Sequence, residues 1–393
     1  MADHEDYQPG EAPAVHATTH EDGGADEISV ADLDGITTEL ALHAAIAAAH
    51  HARYTDGEAI AAVLPFLNTK TNKTTSALVI TVGPGADYPS FLAAINSIPN
   101  FLNHSVSFII NKGTTLAETL NIYYKHSITS QGAITVSAQE YFPQTGLIPS
   151  ATSATLTTLV DNTQAWAIDR FIDCWVFIVD GTGTDNGFVK ITDSGATSIT
   201  VASWPGTQPD NTSRYIIVGA LINGSTRYSC LNIFYNNSAV VFKGIGFYDS
   251  DGYGIEVFMN HSYVLFSYCG IYNSNYSGFF IRLSSYLEIF YNGIVLNNIR
   301  GFGGGGGFRI ESNLKVLIND NGISDNIIQG MRFSSGGYSR VTNNFGDDNG
   351  LWGLKADSSA MVDIDGSECS GSSGNHTDPG TADTSSADQS AVY

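Results

Sequence analysis

The chain lacks most of the features that mark familiar protein classes. Its 393 residues include only four Cys, at 174, 230, 269 and 369, with no close pair among them. That spacing argues against a disulfide scaffold or a zinc knuckle. There is no run of eighteen apolar residues, so no helix is expected to span a membrane. The opening MADHEDYQPG is acidic and has no apolar stretch, and no secretory signal is expected in it. Lys and Arg number 17 against 39 Asp and Glu, a formal charge of −22. A chain so poor in cations is not expected to bind the phosphate backbone of nucleic acid.

The residues that are present fall into regions of different character. Residues 1–65 carry thirteen acidic side chains against Arg53 alone, and residues 363–393 carry six with no Lys or Arg. The long middle is nearly neutral and rich in Tyr, Phe, Ile, Val, Asn, Ser and Gly. β-Branched and aromatic residues favour pleated strands, while Asn, Gly and Asp favour tight turns between them. Residues 37–63 are instead Ala-rich and predict a helix broken near Thr55–Gly57. Such a helix has little apolar area of its own and is expected to pack against copies of itself. The organisation expected is therefore an attachment and trimerisation segment over 1–65 and a linker over 66–76. The start of a β region with a capping helix follows over 77–149, and an irregular β part or insertion over 150–228. Regular coils over 229–366 and a polar tail over 367–393 complete the chain.

Internal repetition identifies the fold. Gly246-Phe-Tyr-Asp-Ser-Asp-Gly-Tyr-Gly254 matches Gly270-Ile-Tyr-Asn-Ser-Asn-Tyr-Ser-Gly278, 24 positions on. Further copies run Gly293–Gly301 and Gly322–Gly330, with the glycine run FGGGGGF as a loop insertion between them. Each of these four copies, and a degenerate fifth, NNFGDDNGLWG, ending at Gly353, leads into a short alternating strand: GIEVF, GFFIR, GFRIE, GMRFS and GLKAD. The inward positions Ile255/Val257, Phe279/Ile281, Phe308/Ile310, Met331/Phe333 and Leu354/Ala356 are all apolar. A coil this short cannot bury its apolar face alone, but a stack of coils can. The expected fold is all-β, a right-handed parallel β-helix (solenoid) preceded by the Ala-rich helical, extended N-terminal segment. An antiparallel sandwich would not hold a 23–24 residue step in one strand phase.

Three stretches then carry a family resemblance. HATTHEDGGADEISVADLDG and AAHHARYTDGEAIAAV resemble segments near the N termini of bacteriophage tail-fibre proteins. VGPGADYPSFLAAINSIP is similar to the opening of pectate-lyase-like β-helices, tailspikes among them. VDGTGTDNGFVKITDSGATSITVASWPGTQPDNTSRYII resembles a module that recurs in phage tail proteins. Together they cover most of 15–365. The resemblance implies a homotrimeric virion protein of the tail, joined to other tail or baseplate proteins through residues 1–65. It also implies an extracellular role in recognising host cell-surface polysaccharide. The polar C-terminal end departs from family members that close in a sizeable trimerising or lectin-like domain.

The chemistry expected lies on the outward positions of the repeat strands. Arg282, Arg309, Arg332 and Lys355 would line a groove for an anionic polysaccharide, with Phe280 beside them, or would simply pair with acidic neighbours on a soluble sheet. Glu311 and Asp357, two coils apart in one column, are the candidates for a catalytic carboxylate pair, which would make the protein a polysaccharide hydrolase or lyase. Tyr248, Tyr253, Tyr272, Tyr276, Phe280 and Tyr338 could stack on sugars or fill the interior. Asp249, Asn273, Asn297 and Asp325/Asn326 read as a hydrogen-bonded turn ladder rather than a Ca²⁺ site. His43, His50 and His51 could meet on a threefold axis as metal ligands, but they lack a defined spacing or fourth ligand. No cofactor is expected.

Overall fold

The computed structural model describes residues 73–143, 147–282, 286–295, 297, 306–311, 315–334, 338–349, 352–356, 361–365, 368–371, 376–377 and 382–383. The unit Met1–Thr71 lies outside them, and with it the stretch 37–63 expected to be helical and His43, His50 and His51. Asp357 also lies outside the described residues.

Three parallel ladders run the length of the second unit. Ladder I has ten strands and starts with Leu78–Val82 and Val106–Ile110; its successive coils include Ala239–Lys243, Tyr263–Ser267, Tyr286–Phe290, Lys315–Asn319 and Tyr338–Thr342. Ladder II has eight, including Ala220–Asn223, Ile245–Tyr248, Gly270–Tyr272, Gly293–Val295 and Gly322–Ser324. Ladder III also has eight: Leu120–Tyr123, Ser229–Phe234, Tyr253–Phe258, Phe279–Arg282, Phe308–Glu311, Gln329–Ser334, Trp352–Ala356 and His376–Thr377. The chain visits I, II and III in turn and then pairs with the previous coil in parallel register, as Ile255↔Phe279↔Phe308↔Met331↔Leu354 shows. This is a parallel β-helix. The ten inward positions named from the repeat are all buried, at 3% exposure or less. The ladders continue through Glu368–Gly371, His376–Thr377 and Ala382–Asp383, within the segment that reads as a polar tail.

Left-handed residues turn the corners. Asp249, Asn273 and Asp325 have φ of 54–63° between ladders II and III, and Tyr124, Tyr235 and Met259 have 48–54° between III and I. The residue after each corner points inward, and this separates two columns that the sequence reading had merged. Asp249, Asn273 and Asp325 are half-exposed corner residues, whereas Asn297 and Asn326 lie one position later and are fully buried. The buried column is Ser250, Ser274, Asn297, Asn326 and Asn349. Its asparagines are linked through Nδ2 and Oδ1 at 3.2 and 3.0 Å. A second column at the I–II corner, Asn292, Asn321 and Asn344, does the same at 3.0 and 2.8 Å.

The second glycine of each repeat makes room for this ladder, since a Cβ on Gly278 would stand 3.0 Å from Asn297 Nδ2. In the third copy that place belongs to Gly307, not Gly301: the Phe279 amide donates to Gly307 O at 2.8 Å. The insertion between Asn297 and Gly306 displaces the glycine along the chain without changing the coil.

Helix α1 (Phe91–Ser97) closes the N-terminal end of the core. Ser90 caps it by accepting from the Ala93 amide, and Phe91, Ala94 and Ile95 are buried beneath it. The Glu118 carboxylate accepts from the Phe91 and Leu92 amides at 2.6 and 3.1 Å, satisfying orphan donors of the first turn.

Between the first coil and Ala220 the chain leaves the helix and builds a six-stranded antiparallel sheet, Ser153–Val218, with its own core around Trp166, Phe171 and Tyr215. Its other face lies on the outside of ladder II. Trp175, Phe177, Val179 and Ile216 pack there against Leu221, Val295 and Phe345. The first glycine of each repeat allows this contact: a Cβ on Gly246 or Gly270 would stand 2.7 Å from the Phe188 ring, and one on Gly293 would stand 2.1 Å from Val179. Arg214 lies 4.0 Å over the Phe345 ring, and Ser324 donates to Asp180 at 3.0 Å. The insert therefore covers one face of the solenoid, and the outer faces of ladders I and III remain for other contacts.

Candidate functional site

Period-2 alternation sends two columns of side chains outward from ladder III. One runs Asn121, Asn232, Glu256, Phe280, Arg309, Arg332 and Lys355. The other runs Tyr123, Phe234, Phe258, Arg282, Glu311 and Ser334. The cations named from the sequence thus share one face on adjacent strands about 4.8 Å apart. The face changes character along the solenoid axis, with amides and aromatic rings in the early coils and cations in the later ones.

The early coils form a stack. Tyr123 and Phe234 lie 5.3 Å apart with rings 22° from parallel, Phe258 meets Phe234 edge-on at 5.9 Å, and Tyr124 stacks on Tyr235 at 5.6 Å. Tyr124 is 55% exposed and Tyr235 40%. Tyr123 OH donates to Asn121 Oδ1 at 2.8 Å, which also accepts from Asn232 at 3.0 Å. Sequence reading missed Tyr123, Tyr124, Phe234 and Tyr235. The insert separates the two strands by more than a hundred residues, and no local repeat signals their pairing.

The later coils form an ion-pair cluster. Arg309 donates to Glu311 Oε1 through Nε at 2.8 Å and approaches it through Nη2 at 2.6 Å, while Arg282 Nε lies 3.7 Å from Oε2. The guanidinium of Arg309 also lies 5.2 Å over Phe280, and Tyr253 stacks on the same ring at 4.6 Å. Phe280 is 9% exposed, so little of its ring is open to a ligand. Glu311 is held in place by two arginines; Arg282, with half of its side chain exposed, is the cation best placed to meet a ligand. Tyr253 and Tyr276 cluster with the exposed Tyr228, whereas Tyr248 and Tyr272 face the insert.

Glu256 occupies the junction of the two zones. It is half-buried, and desolvation holds its carboxyl above the usual carboxylate range. It accepts a hydrogen bond from Ser229 Oγ at 3.4 Å, and its column neighbours are Asn232 and Phe280. No cluster of three or more His, Cys, Asp or Glu that could hold a metal occurs among the described residues.

No protein-family model matches the chain. No curated protein matches it. Among solved structures, it is similar to a XylC complex with xylose at 10% identity, with 76% of this chain and 68% of that chain covered and a TM-score of 0.37. It is similar to a tailspike of Pseudomonas phage phi297 at 12% identity, covering 73% and 67%, with a TM-score of 0.18. It is also similar to a tailspike of Acinetobacter baumannii bacteriophage AP22, solved with a capsular saccharide, at 9% identity, covering 81% and 63%, with a TM-score of 0.17. At such identities and scores these likenesses carry no functional argument, which must come from the chain's own surface.

Proposed function

We propose that this chain is a virion protein of the tail-fibre or tailspike kind: a homotrimer held to the particle by residues 1–65 that presents its β-helix to host-surface glycans. The observation that carries the reading is the outer face of ladder III. In a chain with a formal charge of −22, four cations, Arg282, Arg309, Arg332 and Lys355, share this one face of adjacent strands beside exposed aromatic residues. Such a face suits an acidic polysaccharide lying along the solenoid axis, with carboxylates at the cationic end and sugar rings against the aromatic end. The acidic, Ala-rich composition of residues 1–65 supports an assembly and attachment role, distinct from the binding surface.

Two measurements test it. Light scattering should give three chains per particle for the full protein and one for a chain that starts at Asn72. Binding to acidic bacterial capsular polysaccharides should fall at least about tenfold when Arg282 and Lys355 are both changed to Gln. A full-length monomer, or binding that ignores both substitutions, would remove the reading.

Glu256 favours a second reading, a polysaccharide-cleaving activity on the same face. Burial raises the Glu256 carboxyl above its ordinary value, the direction that favours a general acid able to donate a proton to a departing glycosidic oxygen. If the protein shortens a polysaccharide that it binds, Glu256→Gln should abolish the cleavage and leave the binding in place.

A further inference from the structure

The outer face of ladder I carries a second feature, on the side of the solenoid away from the cation columns of ladder III. A groove of about 430 Å³ opens across the strands Tyr286–Phe290, Lys315–Asn319 and Tyr338–Thr342. That volume is within the range of about 300–1,000 Å³ typical of small-molecule sites. Leu317 and Phe290 give it an apolar floor, and Tyr338 is 40% exposed at its edge. Its polar lining, Lys315, Asn319, Tyr338, Arg340 and Thr342, is mainly of donors, with two cations among them. Lys315 is exposed; its Nζ stands 5.1 Å over the Tyr286 ring and meets no carboxylate among the described residues. Asn319 Oδ1 already accepts from Thr342 Oγ1 at 2.7 Å, which leaves the Nδ2 group as its donor. Glu288, paired with Leu317 in the adjoining column, has its oxygens engaged by Tyr263 OH at 2.5 Å and Tyr286 OH at 2.6 Å.

We propose that this groove is a binding subsite for a sugar residue that bears a carboxylate, a uronate, separate from the face of ladder III. The uronate carboxylate meets Lys315 Nζ, a ring hydroxyl accepts from Asn319 Nδ2, and the apolar face of the pyranose lies on Leu317 and Phe290 beside Tyr338. An apolar floor with a cation and amide donors on its walls matches a ring that is apolar on one side and rich in acceptors at its edge. A neutral sugar would leave the ammonium group of Lys315 without its counter-charge. The assignment rests on the glycan-recognition reading but names a different surface, so the two can fail separately.

Saturation-transfer NMR on the full chain, titrated with methyl glucuronide and with methyl glucoside, tests it. The glucuronide should bind at least about fivefold more tightly than the glucoside, and Lys315→Gln should weaken it about tenfold. Lys190→Gln, on the exposed insert surface, should leave it unchanged, and Leu317→Trp should block the groove. Equal binding of the two sugars, no glucuronide binding, or full binding by Lys315→Gln would overturn the assignment. So would a change in solution mass on Leu317→Trp, which would make the groove a contact between copies of the chain. If the glucuronide results hold but no bacterial polysaccharide binds, the subsite stands and the proposed function fails.

Discussion

The side-chain amide of Asn297 donates to Oδ1 of Asn326 at 3.2 Å, one coil along and 29 residues away in sequence. Asn326 in turn donates to Asn349 at 3.0 Å and to the carbonyls of Ile294 and Ser324 at 3.2 and 3.1 Å. Its Oδ1 also accepts from the Asn297 backbone amide at 3.2 Å. The corner residue therefore satisfies backbone groups that the turn between ladders leaves unpaired. Asn326→Leu fills the space but orphans several of them, at a cost of about 2–4 kcal/mol. Urea unfolding of the two proteins measures this, and a loss under 0.5 kcal/mol would show that the ladder is not a stabilising device.

The same column ends badly at its N-terminal side. Ser274 is fully buried and its Oγ has no hydrogen-bond partner. The glycine facing it, Gly254, gives nearly the same clearance that Gly278 gives Asn297: a Cβ would stand 2.9 Å from Ser274 Oγ in one case and 3.0 Å from Asn297 Nδ2 in the other. Ser274→Asn should extend the ladder by one rung and raise stability by about 1 kcal/mol. A lower melting temperature for this variant would mean that the early coils are closed too tightly to accept an amide.

The glycines that begin each repeat serve the insert. At Gly270 an added Cβ would meet Phe188 at 2.7 Å and Phe177 at 2.9 Å. Gly270→Ala should therefore cost about 1–3 kcal/mol by pushing the insert off ladder II. Truncating the obstacle tests the cause, because Gly270→Ala should cost much less in a Phe188→Ala background. A double-mutant cycle with no coupling between the two positions would place the strain elsewhere.

Most of the coil was legible because a solenoid repeats its local physics. The apolar pairs Ile255/Val257 to Leu354/Ala356, spaced at two residues and recurring with each coil, announced both the strand phase and the stacking. What escaped were relationships between distant segments. Tyr123 stacks on Phe234 only because a whole subdomain is looped out between their strands, and periodicity cannot report that. The Asn ladders were within reach: Asn292, Asn321 and Asn344 keep the same 29- and 23-residue steps as Asn297, Asn326 and Asn349, five positions earlier. Merging the corner residues Asp249 and Asn273 with the buried asparagines was a slip of one position, which turning through a left-handed residue makes decisive. On the candidate surface the column of cations was readable from alternation. The packing of Tyr253 and Arg309 on Phe280 was not, because it depends on side chains from three coils.

Lys125 provides a pH-dependent test of how the N-terminal end is closed. It is 6% exposed, and its Nζ donates to Ile98 O at 3.2 Å and to Asn100 Oδ1 at 3.1 Å, just beyond α1. A cation at a helix C-terminus is favourable, yet burial without a carboxylate lowers this ammonium from 10.5 to about 8. The unfolded chain therefore holds a proton between about pH 8 and 10.5 that the folded chain releases, and the stability linked to this group rises with pH in that window. Below pH 8 both states are protonated and the contribution is absent. The melting temperature of the wild type relative to Lys125→Met should be flat from pH 6 to 7.5 and climb from pH 8 to 10, a comparison that cancels the titration of the many tyrosines. A difference that stays constant across the whole range would show that Lys125 keeps its proton in the folded state and acts as an ordinary helix-end cation.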